Sequence, residues 1–243
     1  MYVGVIALKQ YLKKIYGGSQ EEYYSVLKKD LICGTRKFII TVNPEILIMS
    51  EKDNQISTML LDQNASLIPD GIAVVKACKT LNIPITEKIA GVEIAEFLLK
   101  EADNQNKSLY LFGASNEVIE LLVKKIAVCY PNAKLLGYSN GYVQDKEKVF
   151  DEIASLSPDI CMVALGVPTQ EKLIYKHLDR FEKGVFIGVG GSFDVISGAK
   201  SRAPQFFLKH NLEWLYRIMK EPKRLKRFYD NNIKFLFKIK NKD

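Results

Sequence analysis

The run Ser108-Leu-Tyr-Leu-Phe-Gly113, with Ala114-Ser115 and a helical stretch to Tyr130 behind it, decides the fold. Its centre is apolar throughout, as in a strand covered on both faces, and a glycine closes it. Val118, Ile119, Leu122, Ile126 and Val128 then recur at helical spacing between Ser115 and Tyr130. Working outward, Lys37-Phe-Ile-Ile-Thr-Val-Asn43, Ala133-Lys-Leu-Leu-Gly137, Ile160-Cys-Met-Val-Ala-Leu-Gly166 and Val185-Phe-Ile-Gly-Val-Gly190 read as further strands. Helical stretches such as Ile72 to Leu81 and Thr169 to Phe181 lie between them. This alternation implies an α/β domain, a Rossmann-like and mostly parallel sheet with helices on both faces.

In such sheets ligands bind outside the carboxyl ends of the strands. That rule selects Thr41-Val-Asn43-Pro-Glu45, Pro69-Asp70-Gly71, Gly113-Ala-Ser115, Gly137-Tyr-Ser139-Asn-Gly141-Tyr142, Gly166-Val-Pro168-Thr-Gln170-Glu171 and Gly188-Val-Gly190-Gly191-Ser192-Phe-Asp194. Glycines and small polar residues recur there, as they do where a backbone approaches a ligand closely.

Charge is distributed unevenly. The 243 residues carry a net charge of +7, and from Gln205 onward eight Lys and three Arg face Glu213, Glu221, Asp230 and Asp243, which is the same +7. An electrically balanced body, residues 1–204, is therefore expected to carry a basic helical appendage, residues 205–243. Such asymmetry points to a nucleic acid or an anionic membrane. Leu208, Leu212, Leu215 and Met219 fall at helical spacing, and Leu225, Phe228, Asn232, Phe235 and Ile239 follow along one side after Pro222. Aromatic residues among the lysines suit an interfacial membrane helix better than a nucleic-acid helix. No apolar run approaches the roughly 18 residues of a spanning helix, and the apolar Met1 to Leu8 lack the basic flank of a signal peptide. Cys33, Cys78, Cys129 and Cys161 lie far apart in or near apolar segments, which reads as buried, reduced thiols of a cytosolic protein.

Each chemical signal carries a plain alternative. The glycines after Ile187 offer backbone amides to a phosphate, although the spacing is not that of a dinucleotide fingerprint and a tight strand-to-helix turn explains them equally. Gly137-Tyr-Ser139-Asn-Gly141 formally matches a hydrolase elbow, with Asp159 and His177 downstream in the right order, but no oxyanion segment accompanies it. Two histidines, no clustered cysteines and no Asp-x-Asp argue against a metal site. Asp70 stands ahead of a helix, where it either caps that helix or faces a cleft as a general base.

Taken with Lys88-Ile-Ala-Gly91, Arg202-Ala-Pro204, Leu212-Glu-Trp214-Leu-Tyr-Arg217 and Glu221-Pro-Lys-Arg224-Leu-Lys-Arg227, the ordered motifs resemble those of the WecG/TagA/CpsF family of bacterial glycosyltransferases from about Phe38 to Tyr229. The resemblance implies an inverting, metal-independent hexosyltransferase without a cofactor. Its partners would be a UDP-sugar donor, often of the N-acetylmannosamine type, and a polyprenyl-diphosphate-linked sugar acceptor. It would act in teichoic acid or other surface polysaccharide assembly, peripherally on the cytoplasmic face of the bacterial plasma membrane. Self-association is possible, and no nucleic acid is implied.

By the same resemblance Asp70 is the general base, and Thr41, Asn43, Gln170 and Lys88 belong to the reaction centre. Gly113, Tyr142, Gly190, Gly191, Ser192 and Asp194 hold the nucleotide, and Arg217, Arg224 and Arg227 neutralise diphosphate. Lys88 and Glu93 depart from the family's usual Arg and Asp. A lysine keeps the charge but loses the bidentate fork.

Overall fold

Five of the apolar runs become strands, and a sixth, Ala65–Pro69, joins them from what the sequence marks only as a short apolar run ahead of Asp70. The computed structural model of the chain describes the backbone of residues 2–240 and its side chains except those of residues 2–7 and Arg224. The strands are β1 (Lys37–Val42), β2 (Ala65–Pro69), β3 (Ser108–Gly113), β4 (Lys134–Ser139), β5 (Ile160–Ala164) and β6 (Val185–Gly188). They form one sheet in the order β2-β1-β6-β5-β3-β4, and every pair is parallel.

Parallel pairing explains the composition of the runs. Successive side chains point to opposite faces, and both faces are roofed by crossover helices. Phe38, Ile40, Val42, Tyr110, Phe112, Cys161, Val163 and Phe186 enter one core, while Ile39, Leu109, Leu111, Met162, Val185 and Ile187 enter the other. Only β4, at an edge, alternates between exposed and half-buried positions.

The first core is covered by α1 (Tyr2–Lys14), α3 (Pro44–Met49), α4 (Asn54–Leu61), α5 (Ile72–Thr80), α8 (Lys146–Leu156) and α9 (Thr169–His177). The second lies under α2 (Gln20–Cys33), α6 (Gly91–Asn104), α7 (Asn116–Cys129) and α10 (Ser192–Ile196).

The basic segment is less uniform than its spacing predicts. It divides into α11 (Gln205–Lys209), α12 (Glu213–Lys220), α13 (Arg224–Phe228) and α14 (Lys234–Lys240), with a π-helical turn over Tyr229–Ile233. That turn adds backbone between α13 and α14, so the side expected to run from Leu225 to Ile239 is not one face. Leu225 is exposed and Phe228 stacks on Trp214 with ring centroids 4.4 Å apart. Phe235 and Ile239, by contrast, are buried in the first core. The segment is thus anchored to the body at its far end, while Phe206, Met219, Leu225, Tyr229 and Phe237 face outward.

Two sequence expectations need correction. All four cysteines are free, but only Cys78 and Cys161 are buried; Cys33 and Cys129 end α2 and α7 on the solvent side. Val128 likewise turns outward from α7, because that helix buries only the narrow stripe Ile119, Leu122 and Ile126.

The anchoring of α14 predicts unequal costs for neighbouring truncations. Phe235→Ala should destabilise the whole chain by about 3–5 kcal/mol in urea unfolding. Phe237→Ala, on the exposed side, should stay within about 0.5 kcal/mol. Equal small effects would mean that α14 does not belong to the core.

Candidate active site

All six strands end on one edge, and the helices leaving them do not all turn the same way. Those after β1 and β5 cover the first core, while those after β6 and β3 cover the second. The helix after β4 returns to the first core, so the chain parts between β1 and β6, β6 and β5, β5 and β3, and β3 and β4, which opens crevices where ligands bind in such folds.

Asp70 sits at one end of this edge. Its backbone N–H donates to Val42 O at 2.9 Å, which carries the β1–β2 ladder one residue past β2. Gly71 follows with φ +98° and is the residue before α5, whose start has no side-chain cap. Of the two roles left open for Asp70, the cap is not what the structure shows: α5 starts after Gly71 without a side-chain cap, and Asp70 is half-buried. Ile89 N–H donates to Pro69 O at 2.8 Å, which ties the Lys88 segment beside the end of β2.

The charges around Asp70 come from two directions. Burial pushes its carboxyl up to about 6; Arg217 and Lys88 pull it down, and Glu213 and Glu93 raise it further. Arg217 and Glu213 both belong to α12 and pair with each other, Arg217 Nε donating to Glu213 Oε1 at 3.0 Å. The basic segment is thus near enough to the strand ends for the Arg217 charge to act on Asp70. A second tail arginine, Arg227, grips Glu45 of α3 with two parallel bonds of 2.9 and 2.8 Å. Such fork-to-carboxylate pairs are the strong form of the ion pair. Lys238 adds an ion pair to Glu51. The side chain of Arg224 lies outside the described residues.

The middle of the edge is organised by Gln170. This side chain is buried, and its Oε1 accepts from both Gly166 N–H and Gly190 N–H at 3.0 Å. A Cβ at Gly188 would fall 2.5 Å from Gln170 Nε2, so this position admits only glycine while the glutamine lies across it. Gln170 therefore joins the loops after β5 and β6 from beneath. Its polar atoms are occupied by the protein.

The remaining candidates line the same edge. Thr41 is buried against the first turn of α6, where Gly91 leaves room for its methyl group. Asn43 caps α3, its Oδ1 accepting from Ile46 N–H at 3.1 Å. Gly113 has φ +128° and lies so close to Ala164 O that no side chain fits. Gly141 N–H donates to Ala114 O at 2.8 Å, which leaves the Tyr142 ring free in solvent just beyond the Gly113 turn. In the β6 loop, Gly190 N–H is taken up by Gln170 of α9, and the Ser192 hydroxyl is bonded within the loop, to Val189 O at 2.6 Å. Gly191 is exposed, and Asp194 pairs with Lys200 at 3.1 Å. From Asp70 to the β4 loop the edge covers five strand spacings, roughly 24 Å.

The hydrolase alternative does not assemble. Ser139 ends β4 in register with Phe112 and so with Val163, four residues beyond Asp159, an offset of roughly 13 Å along the strands. Asp159 instead accepts from the Ser108 hydroxyl and Lys183, and His177 pairs with Glu147 and stacks on Phe150. Among the described residues no three His, Cys, Asp or Glu side chains gather as a metal-holding group. None of their helices is long and apolar enough to cross a membrane.

Sequence reasoning left Glu213, Glu45 and Glu171 without roles, although each stands inside a quoted motif. Their signal was position beside a candidate residue: Glu213 one helical turn before Arg217, and Glu171 directly after Gln170.

A family model described as the glycosyl transferase WecG/TagA/CpsF family matches residues 12–242. An N-acetylglucosaminyldiphosphoundecaprenol N-acetyl-beta-D-mannosaminyltransferase of Bacillus subtilis (strain 168) is 45% identical over 189 residues, 78% of this chain and 73% of its own. The enzyme with the same name in Bacillus spizizenii (strain ATCC 23059 / NRRL B-14472 / W23) is 40% identical over 78% of this chain and 74% of its own. Its counterpart in Staphylococcus aureus (strain MW2) is 38% identical over 83% and 79%. With the match running through both the parallel sheet and the arginine-bearing tail, the chain belongs to the WecG/TagA/CpsF family of glycosyltransferases.

Proposed function

We propose that the protein transfers N-acetylmannosamine from a UDP-linked donor to an N-acetylglucosamine carried on a polyprenyl diphosphate, with inversion and without a metal ion. The acceptor and the sugar are those in the names of its relatives. The observation that carries the reading is Asp70: a half-buried acid at the carboxyl edge of a parallel sheet, with its carboxyl pushed up to about 6 by burial and within the electrostatic reach of Arg217 and Lys88.

In this mechanism the Asp70 carboxylate takes the proton of the acceptor hydroxyl as that oxygen attacks the anomeric carbon. The bond from that carbon to the phosphate oxygen breaks, and UDP leaves with the electron pair. One displacement by one base inverts the anomeric centre. The leaving diphosphate gains negative charge, which Lys88 and Arg217 are placed to offset. A raised basicity suits a general base working near neutral pH, provided it remains mostly ionised there. The Gly188–Asp194 loop and the Gly113 turn hold the nucleotide, with Tyr142 offering an aromatic face to the base.

The same reading puts the protein peripherally on the cytoplasmic leaflet, in teichoic acid or related surface-polysaccharide assembly. Exposed Met219, Leu225, Tyr229 and Phe237 stand among exposed Lys220, Lys223 and Lys226, a mixture suited to an anionic interface. Each lysine near such a surface contributes about 1 kcal/mol. Replacing these three by Ser should therefore weaken sedimentation with anionic vesicles by roughly 100-fold. Unchanged partitioning would remove the tail from the membrane contact.

The direct test is release of UDP from UDP-N-acetylmannosamine with a lipid-diphosphate N-acetylglucosamine acceptor in the presence of EDTA. Turnover is expected; its absence under EDTA with recovery on adding a divalent cation would overturn the metal-independent mechanism. Asp70→Asn should lower kcat by roughly 10²- to 10⁴-fold while UDP affinity changes less than threefold. Because the folded chain holds Asp70 above the ordinary carboxylate value, stability falls as pH rises through the window from 3.8 to about 6. Asp70→Asn should thus melt no lower than the parent at pH 7.5.

The pH profile gives a separate check. The acid limb of kcat/KM should bend near pH 6, where Asp70 takes up its proton. Arg217→Ala removes a charge that favours the carboxylate, so that limb should move to higher pH. Glu213→Gln removes a like charge and should move it lower. Both variants leaving the limb in place would dissociate α12 from Asp70.

A further inference from the structure

Glu171 is an acid that the fold hides completely, and the transfer chemistry does not use it. It is fully buried at the start of α9, directly after Gln170. One carboxyl oxygen, Oε1, accepts from Gln170 Nε2 at 2.7 Å, while Oε2 is buried with no hydrogen-bond partner among the described residues. Burial, the largest effect, and the nearby Glu45 push its carboxyl up to about 7, against the bond from Gln170. An acid kept in such surroundings at a cost to folding calls for a reason other than solvation.

The reason lies in the two ends of the Gln170 amide. Gly166 and Gly190 present N–H groups, which only donate, so the oxygen of Gln170 must face them. The amide nitrogen then points the other way and needs an acceptor. Glu171 supplies one in either protonation state, because one of its oxygens always retains a lone pair. With no acceptor there, the amide nitrogen is left buried without a partner, and only the two glycine N–H groups still hold the oxygen in place.

We infer that Glu171 is a positioning residue: it fixes the orientation of the Gln170 amide and thereby holds the Gly166 and Gly190 loops in the geometry that receives the nucleotide diphosphate. The last step rests on the proposed role of the Gly188–Asp194 loop. The chain of contacts is Glu171 to Gln170 to Gly190, with Gly188 lacking a side chain so that the glutamine can lie across it. Glu171 itself does not touch the substrate.

The experiment compares Glu171→Leu, which removes the acceptor, with Glu171→Asp, which withdraws it by one methylene, and Glu171→Gln, whose carbonyl restores it. Hydrogen exchange at the Gly166 and Gly190 amides reads the relay without any ligand, and calorimetric titration with UDP reads its consequence. Glu171→Leu should lose at least tenfold of the protection at both amides and bind UDP at least tenfold more weakly. Glu171→Asp should move both in the same direction by threefold or more, and it keeps the test open if the leucine variant fails to reach the native circular dichroism spectrum. Glu171→Gln should stay within threefold of the parent on both measures.

Unchanged exchange in the leucine and aspartate variants would overturn the relay. So would a glutamine variant as impaired as the leucine one, since charge and not acceptor geometry would then matter. Exchange that changes as expected in a parent chain that binds UDP, with UDP affinity unmoved, would overturn the nucleotide half of the inference. A parent chain that binds no UDP at all would count against the proposed donor, and the exchange data would then decide the relay alone.

Discussion

Parallel strands all finish on one edge, and every loop that leaves them has to turn back over a helix while its amide groups find partners. Here one buried side chain meets that demand for the two central loops. Gln170 accepts from Gly166 and Gly190 at once, and the fit is possible because Gly188 has no Cβ and Glu171 holds the far side of the amide. The glycines of the β6 loop therefore answer first to packing. Gly191 and the outer face of the loop are what remain for a ligand, whereas the Gly190 amide is already engaged. A loop in which all the glycines met phosphate would have needed some other tie to the body.

The basic segment shows a comparable division of labour. Its charge is directed inward as well as outward. Arg227 grips Glu45 on α3, Lys238 pairs with Glu51, and Arg217 approaches Asp70 together with its own partner Glu213. The exposed lysines and aromatics occupy other positions of the same helices. Burial of Phe235 and Ile239 fixes one end, and the π-helical turn lets α13 and α14 present different faces. Anchored in this way, the segment holds to Glu45 and Glu51 of the body while its exposed lysines and aromatics stay at the surface. Glu45 belongs to the Asn43 motif, holds Arg227 and is also a charge that acts on Glu171.

Much of the fold was legible because burial on both faces writes itself into a strand as an unbroken apolar run. β1, β3, β5 and β6 announced themselves in that way. β4 was recognisable despite its half-exposed edge position, since a glycine and the flanking helices framed it. β2 was obscured because Ala65-Ser66-Leu67-Ile68-Pro69 is short and carries a serine and a proline. Of the site, the motif positions lay open along the strand ends, yet their division into chemistry and scaffold did not. Asp70 as cap and Asp70 as base have the same spacing, and only the Gly71 turn shows that α5 starts without its side chain. Ser139, Asp159 and His177 fall in a plausible order, and only the register of β4 against β3 and β5 keeps them apart.

The sequence by itself determined the α/β class, the family, the edge on which the motif residues gather and the cationic character of the last forty residues, because these follow from periodicity, composition and local turns. Tertiary structure decided which groups act on one another: the Arg217 charge on Asp70, Arg227 paired with Glu45, and Glu171 with Gln170 against the Gly190 loop. It also decided that Phe235 is core and Phe237 is surface. These outcomes depend on strand order, register and the rotation introduced by a π-turn. Each is a relation between residues distant in the chain or an accumulated helical phase, and no local pattern of residue types encodes them.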